Sequence, residues 1–108
     1  MEIMKKFKIE LPIYYGKVKI YIDNEIELIG EKIGVDITAG IECFCYRKEP
    51  HNYIIGLKEN IFYYNIVHEV VHLVNFIYED HNIKLSKSND EHQAYLTGYL
   101  FNEIYKKL

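Results

Sequence analysis

Apolar and polar residues alternate along residues 17–22, with the period of a half-buried β-strand. A shorter apolar run over residues 7–11 predicts a strand before it. Isoleucines then recur at helical spacing, so we expect a helix that is capped by Asp23 or Asn24 and stops at Gly34. The first third of the chain therefore predicts two strands and an early helix.

β-Branched and aromatic residues dominate residues 37–46 and 53–57, and the polar residues 47–52 separate these two runs. This pattern predicts two strands joined as a hairpin. Residues 52–57 directly precede the next helix, so an exposed edge there could pair with an extended peptide, although this strand could equally be central.

The rest of the chain follows the helical period. A long helix is expected from Asn60 or Asn65 to about residue 78, and a last helix, capped by Ser88 or Asn89, to about residue 106. We therefore predict one α+β domain over residues 1–108. It has a small, mainly antiparallel sheet, an early helix and two helices packed behind the sheet.

Composition narrows the classes of function. The chain has 108 residues, is 49% hydrophobic, and carries 13 basic against 16 acidic side chains. This balance gives no net positive field, so nucleic-acid binding is not expected. No apolar run is long enough to cross a membrane, and no signal peptide is evident. Cys43 and Cys45 are too few for a disulfide framework, so a reduced, cytoplasmic protein is expected.

The long helix contains His68-Glu69-Val70-Val71-His72, an H-E-x-x-H motif. Residues four apart lie one turn apart on the same helix face, so both imidazoles can reach one metal ion, such as Zn²⁺. Glu69 follows the first histidine and is suited to act as a general base beside that ion.

The surroundings of the motif favour a cation site. No Lys or Arg occurs over residues 59–83, whereas solvated helix faces usually carry them. The alternative is that His68 and His72 belong to an ordinary solvated face or are hydrogen-bonded core histidines.

A third ligand decides the subtype of such a site. Asn75 and Tyr78 stand where a metzincin needs Gly and His, so that arrangement is excluded. Glu91 follows His72 by nineteen residues and falls in the first turn of the last helix. It is a candidate ligand, and the alternative is an ordinary acidic residue that stabilises a helix N-terminus.

Other residues compete for the same role. His81, Asp90 and His92 are rival third ligands. Cys43 and Cys45 share one strand face and could hold a metal, but free cysteines are more often small buried side chains.

The combination of motif and last helix resembles a known family. His68-Glu69-x-x-His72 followed by Glu91-x-x-Ala94-Tyr95 resembles the minimal gluzincin pattern, which implies that the small residue Ala94 packs on the active-site helix. The segments HEVVHLVNFIYED and NDEHQAYLTGYL are similar to short phage- and prophage-encoded zinc peptidase-like proteins, distant relatives of the ImmA/IrrE metallopeptidase domain. The resemblance, strongest over residues 52–102, implies a zincin-like fold whose edge strand borders the cleft. It also implies one Zn²⁺ per chain held by His68, His72 and Glu91, with Glu69 as general base.

The expected function is therefore zinc-dependent hydrolysis of a bond in a peptide or protein substrate. The alternative is a metal-bearing, non-catalytic binding or regulatory module, phage-encoded and acting on a host protein. Four residues are unranked candidates for stabilising the oxyanion: Tyr46, His51, Tyr53 and Tyr95.

Overall fold

Residues 4–38 and 40–108, which the computed structural model describes, form four strands and three helices. In chain order these are β1 (Lys5–Glu10), β2 (Lys17–Asp23), α1 (Ile26–Ile33), β3 (Cys43–Glu49), β4 (Asn52–Lys58), α2 (Tyr63–Asp80) and α3 (Asp90–Tyr105). The predicted α+β class is confirmed.

The strands form one sheet in the order β1-β2-β4-β3. β1 pairs with β2, and β3 with β4, in antiparallel fashion, so the predicted hairpin is confirmed. β2 and β4 are parallel, which makes the sheet mixed rather than simply antiparallel. Because β4 lies between β2 and β3, the idea that residues 52–57 form an exposed edge is wrong. β3 holds that edge instead.

The third strand is shorter at its start than predicted. The sequence placed a strand over residues 37–46, but β3 begins at Cys43, and Gly40 has a positive φ of 93°. Position 39 of that predicted strand lies outside the described residues. At the other end the strand runs on to Glu49, because His51, at φ 69°, makes the reversal in a very short turn. Most of the predicted polar turn over residues 47–52 is therefore strand.

The early helix, α1, begins after Glu25, one or two residues later than the predicted caps. The Asp23 carboxylate accepts a hydrogen bond from the backbone N–H of Glu25 at 2.8 Å, so it orders the chain just before the helix. The helix ends at Gly34 as predicted, with that residue in the left-handed conformation at φ 78°.

The two long helices differ in how well their starts were predicted. α2 begins after Phe62, so neither Asn60 nor Asn65 is its cap. Asn60 lies in the preceding turn with a positive φ of 60°. α3 begins after Asn89, as predicted. Within the described ranges, no helix is long and apolar enough to span a membrane.

Alternating side chains of the central strands supply two apolar layers. One face carries Tyr21 of β2 and Ile54 of β4, which pack against Ile26 and Ile29 of α1. The other face packs against α2 and α3. Its buried strand residues are Val18, Ile20, Ile22, Tyr53, Ile55 and Leu57. The helix after β2 therefore lies on the opposite side of the sheet from the helix that carries the motif.

Candidate metal centre

The motif histidines lie on the solvent side of α2. Val70 is buried under α2 and is two residues from each histidine. Two residues correspond to about 200° around the helix axis, so the histidines lie on the face opposite Val70. His68 and His72 are exposed, with their Nε2 atoms 3.2 Å apart and ring centroids 4.8 Å apart. The predicted juxtaposition of the two imidazoles is therefore found.

The spacing of the two nitrogens matches a shared ion. Tetrahedral zinc with bonds of 2.0–2.1 Å separates two imidazole nitrogens by about 3.3 Å. Over residues 4–38 and 40–108, no group of three or more His, Cys, Asp and Glu side chains is gathered closely enough to hold a metal. The spacing of the two nitrogens thus fits a pair of ligands to one ion.

Glu91 is exposed in the first turn of α3. It precedes the buried Leu100 by nine residues, about 180° around the helix, so it faces away from the core. Within the described part of the chain, no hydrogen bond or ion pair joins Glu91 to His68 or His72. Its role as third ligand stays a prediction.

The family resemblance gave Ala94 a packing role on the active-site helix. Ala94 is exposed, and the residues that α3 buries are Leu96, Leu100 and Ile104. Asp90, a rival ligand, is also exposed.

Glu69 points from α2 toward the edge strand β3. The residue is only 8% exposed, and its Oε2 accepts a hydrogen bond from the Cys43 thiol at 3.2 Å. Cys43 and Cys45 both pack into the core beneath α2, so the predicted shared strand face is confirmed. The Cys43–Glu69 contact was not predicted from the sequence. The i, i+2 spacing of the cysteines indicates a shared strand face but does not indicate which helix residue lies against it.

The two thiols are free and protonated at neutral pH. Burial, reinforced by the Glu69 hydrogen bond and charge, raises the pKa of Cys43 to about 12. Burial, with the Glu69 charge second, raises the pKa of Cys45 to about 12 as well. Cys43 is therefore a stable hydrogen-bond donor to the candidate general base.

The oxyanion candidates do not gather at the histidine pair. Tyr53 is buried and its hydroxyl donates to Asp80, while Tyr46 packs on the α1 side of the sheet. Tyr95 is 72% exposed on α3. His51 lies in the hairpin turn, where its ring contacts Tyr15 and His81.

The rival histidine ligands also belong to different surroundings. His81 contacts the ring of Tyr14, and Nε2 of His92 is hydrogen-bonded to the Tyr14 hydroxyl. The motif pair and this second group of histidines are therefore separate features of the molecule.

Comparison with known proteins adds no relative: no family model matches the chain, and neither a curated protein nor a solved structure gives a significant match.

Proposed function

We propose that this chain is a zinc-dependent metallopeptidase of the gluzincin type. One observation carries the proposal: two imidazoles on the open face of α2 have their Nε2 atoms 3.2 Å apart, with a carboxylate at the next position along the helix. This is the donor set and spacing that a catalytic zinc ion requires from one helix.

The proposal gives each residue one task. His68 and His72 would hold the ion through Nε2, and Glu91 would complete the protein ligands from α3. When bound, zinc would polarise a substrate carbonyl and acidify water. Glu69 would take the proton of the attacking water on its carboxylate and pass it to the leaving amine.

Cys43 has a positioning role in this scheme. Its thiol holds Oε2 of Glu69, which fixes the carboxylate on the β3 side of α2. The second carboxylate oxygen, Oε1, is then the one that accepts the proton. Because the Cys43 pKa lies near 12, the thiol would remain a donor throughout the neutral range.

A peptide substrate is supported by the sheet. In the part of the chain that the structure describes, β3 pairs with β4 alone, and α2 packs directly against β3. An extended peptide could add to the free edge of β3 through main-chain hydrogen bonds. This edge would then have the peptide-pairing role that was predicted for residues 52–57.

The second candidate is a metal-bearing module that binds or regulates a host protein without cleaving it. The burial of Glu69 against Cys43 favours it, because a general base must reach water. The two candidates share the histidine pair and differ in whether Glu69 takes part in chemistry.

The test combines metal content with proteolysis. Wild type, Glu69→Gln and His72→Ala are purified without chelator, their zinc is measured by mass spectrometry, and each is incubated with a peptide library. A peptidase keeps zinc in wild type and Glu69→Gln, and cleavage falls by at least about a hundredfold in Glu69→Gln. Glu27→Gln, a carboxylate-to-amide change on the exposed side of α1, is the matched control. If wild type and Glu69→Gln both bind zinc and neither cleaves any peptide, the protein is the non-catalytic module.

The third ligand is tested by a neighbouring pair of variants. Glu91→Gln should weaken zinc binding by about tenfold to a hundredfold, whereas Asp90→Asn should leave it unchanged. Titration with a chromophoric chelator measures both affinities. The opposite order would assign the ligand to Asp90.

A further inference from the structure

Three histidines outside the motif converge from distant parts of the chain. His51 comes from the turn between β3 and β4, His81 from the C-terminal end of α2, and His92 from α3. The rings of His51 and His81 have centroids 4.9 Å apart, and Tyr14 lies 4.8 Å from His81. Nothing in the proposed peptidase mechanism uses this cluster.

One buried polar atom in the cluster, Nδ1 of His51, has no hydrogen-bond partner among the residues that the structure describes. Native structures rarely leave a buried polar atom unpaired, so this nitrogen is open to a further polar group or ion.

His81 has the hydrogen bond that is typical of a metal-ligating histidine. Its Nδ1 lies 2.8 Å from the carbonyl oxygen of Ile77, and since a carbonyl only accepts, Nδ1 carries the proton. The lone pair therefore resides on Nε2. A backbone carbonyl that fixes the tautomer in this way is the usual outer partner of a bound imidazole.

The spacing of the two rings agrees with a shared ion. Two imidazoles on one tetrahedral zinc have ring centroids about 5 Å apart. The His51–His81 separation of 4.9 Å is close to the 4.8 Å of the motif pair.

The neighbouring acid does not compete for these rings. The Asp80 carboxylate accepts hydrogen bonds from Tyr53, Arg47 and the backbone N–H of His51. The open donors of the cluster are therefore imidazole nitrogens. Such donors select zinc, copper or nickel over calcium and magnesium.

We propose that His51 and His81 form a second site for a divalent transition metal, separate from the motif pair, with water in the remaining coordination positions. His51 also lines a surface depression of about 520 Å³, together with Tyr14 and Tyr15. His92 is held by Tyr14 and is not assigned as a ligand. The proposal is independent of peptidase activity.

The test removes the first site to isolate the second. The double variant His68→Gln/His72→Gln is equilibrated with zinc, and bound metal is counted after dialysis. It should retain one zinc per chain, and adding His81→Gln or His51→Gln should lower its affinity by at least tenfold. Adding His92→Gln, the matched histidine control, should leave the affinity unchanged.

Wild-type protein gives a check that needs no variant. Cu²⁺ added to ¹⁵N-labelled protein should broaden amide signals around His51, His81 and Tyr14 as a group separate from the signals around His68. Broadening confined to the motif pair, or a double variant that binds no zinc, overturns the second site. If His81→Gln alone abolished all zinc binding in the otherwise wild-type chain, the second site would stand and the motif site would not. The two proposals therefore fail separately.

Discussion

Asp80, the last residue of α2, joins that helix to the β3–β4 hairpin. Its side chain is 5% exposed, and its carboxylate accepts hydrogen bonds from the Tyr53 hydroxyl at 2.5 Å, from Arg47 at 2.8 Å and from the His51 backbone N–H at 3.2 Å. Burial alone would raise the pKa of Asp80, but these hydrogen bonds and the Arg47 charge outweigh it, so the pKa is lowered. A single carboxylate therefore ties the end of the motif helix to the hairpin.

Replacing Asp80 should destabilise the fold. Asp80→Ala leaves the buried Tyr53 hydroxyl without an acceptor, and we expect a loss of about 2–4 kcal/mol in the free energy of unfolding, measured by urea titration. Glu79→Gln, which removes the exposed partner of Arg47, is the control and should change little. Equal effects of the two variants would contradict the assigned role of Asp80.

The same carboxylate predicts a pH dependence. Because folding lowers the pKa of Asp80, its contribution is present above the unfolded value of about 4 and is lost as the pH falls through the folded value. Asp80→Asn should therefore remove part of the acid destabilisation seen in urea titrations below about pH 4. A variant whose stability falls with acid as steeply as the wild type would disprove this.

The thiols of Cys43 and Cys45 should react slowly. With both pKa values near 12, the thiolate is scarce, and alkylation by iodoacetamide at about pH 8 should be at least roughly a hundredfold slower in the folded chain than in urea. Glu69→Gln removes a charge that raises both pKa values, so alkylation should accelerate. Glu27→Gln serves as control, and equal rates in folded and unfolded protein would show that the thiols are not shielded.

At the scale of elements, the glycines of two helices have opposite roles. Gly34 ends α1 with φ 78°, a conformation that side chains disfavour. Gly98 lies within α3, and a Cβ added there would meet no atom within 4 Å. Gly34 is needed because its backbone adopts a conformation that other residues disfavour, whereas Gly98 only weakens α3.

Alanine at the two positions should therefore shift stability in opposite directions. Gly34→Ala is expected to cost about 1 kcal/mol, and Gly98→Ala to add about 0.5–1 kcal/mol. Thermal unfolding followed by circular dichroism compares the two variants, each a control for the other. Stabilisation by Gly34→Ala would show that its backbone conformation imposes no cost.

Local patterns predicted elements better than their boundaries. The alternation that predicted β2 and the helical stripe of α2 extend over whole elements, so both elements were found. The described residues before Cys43, 37–38 and 40–42, have no strand partner although a strand was predicted there, because composition alone does not supply a partner. The predicted caps of α2 were wrong, because Asn60 lies in the turn before the helix rather than at its first residue.

At the scale of the molecule, strand position determines local stability. β4 lies between two neighbours, and its Tyr53–Leu57 stretch is buried throughout. Among the described strands, β1 pairs with β2 alone, and most of its residues are exposed. Opening β1 therefore exposes much less apolar surface than opening β4.

Hydrogen exchange should reveal this difference. We expect the amides of β4 to exchange at the rate of global unfolding, whereas those of β1 exchange faster through local opening. Mass spectrometry or NMR measures both, with β2 as an internal reference, since it pairs with β1 and β4. Equal protection of β1 and β4 would mean that the sheet opens as one unit.

Local sequence patterns were enough to predict most of the elements and the pairing of His68 with His72, because helical periodicity acts over four residues and needs no partner. They also put Cys43 and Cys45 on one strand face. The packing of the folded chain placed β4 at the centre of the sheet, buried Glu69 against Cys43, and brought His51 and His81 together. These contacts join residues 26 or more positions apart, and they depend on how sheet and helices pack rather than on any local pattern.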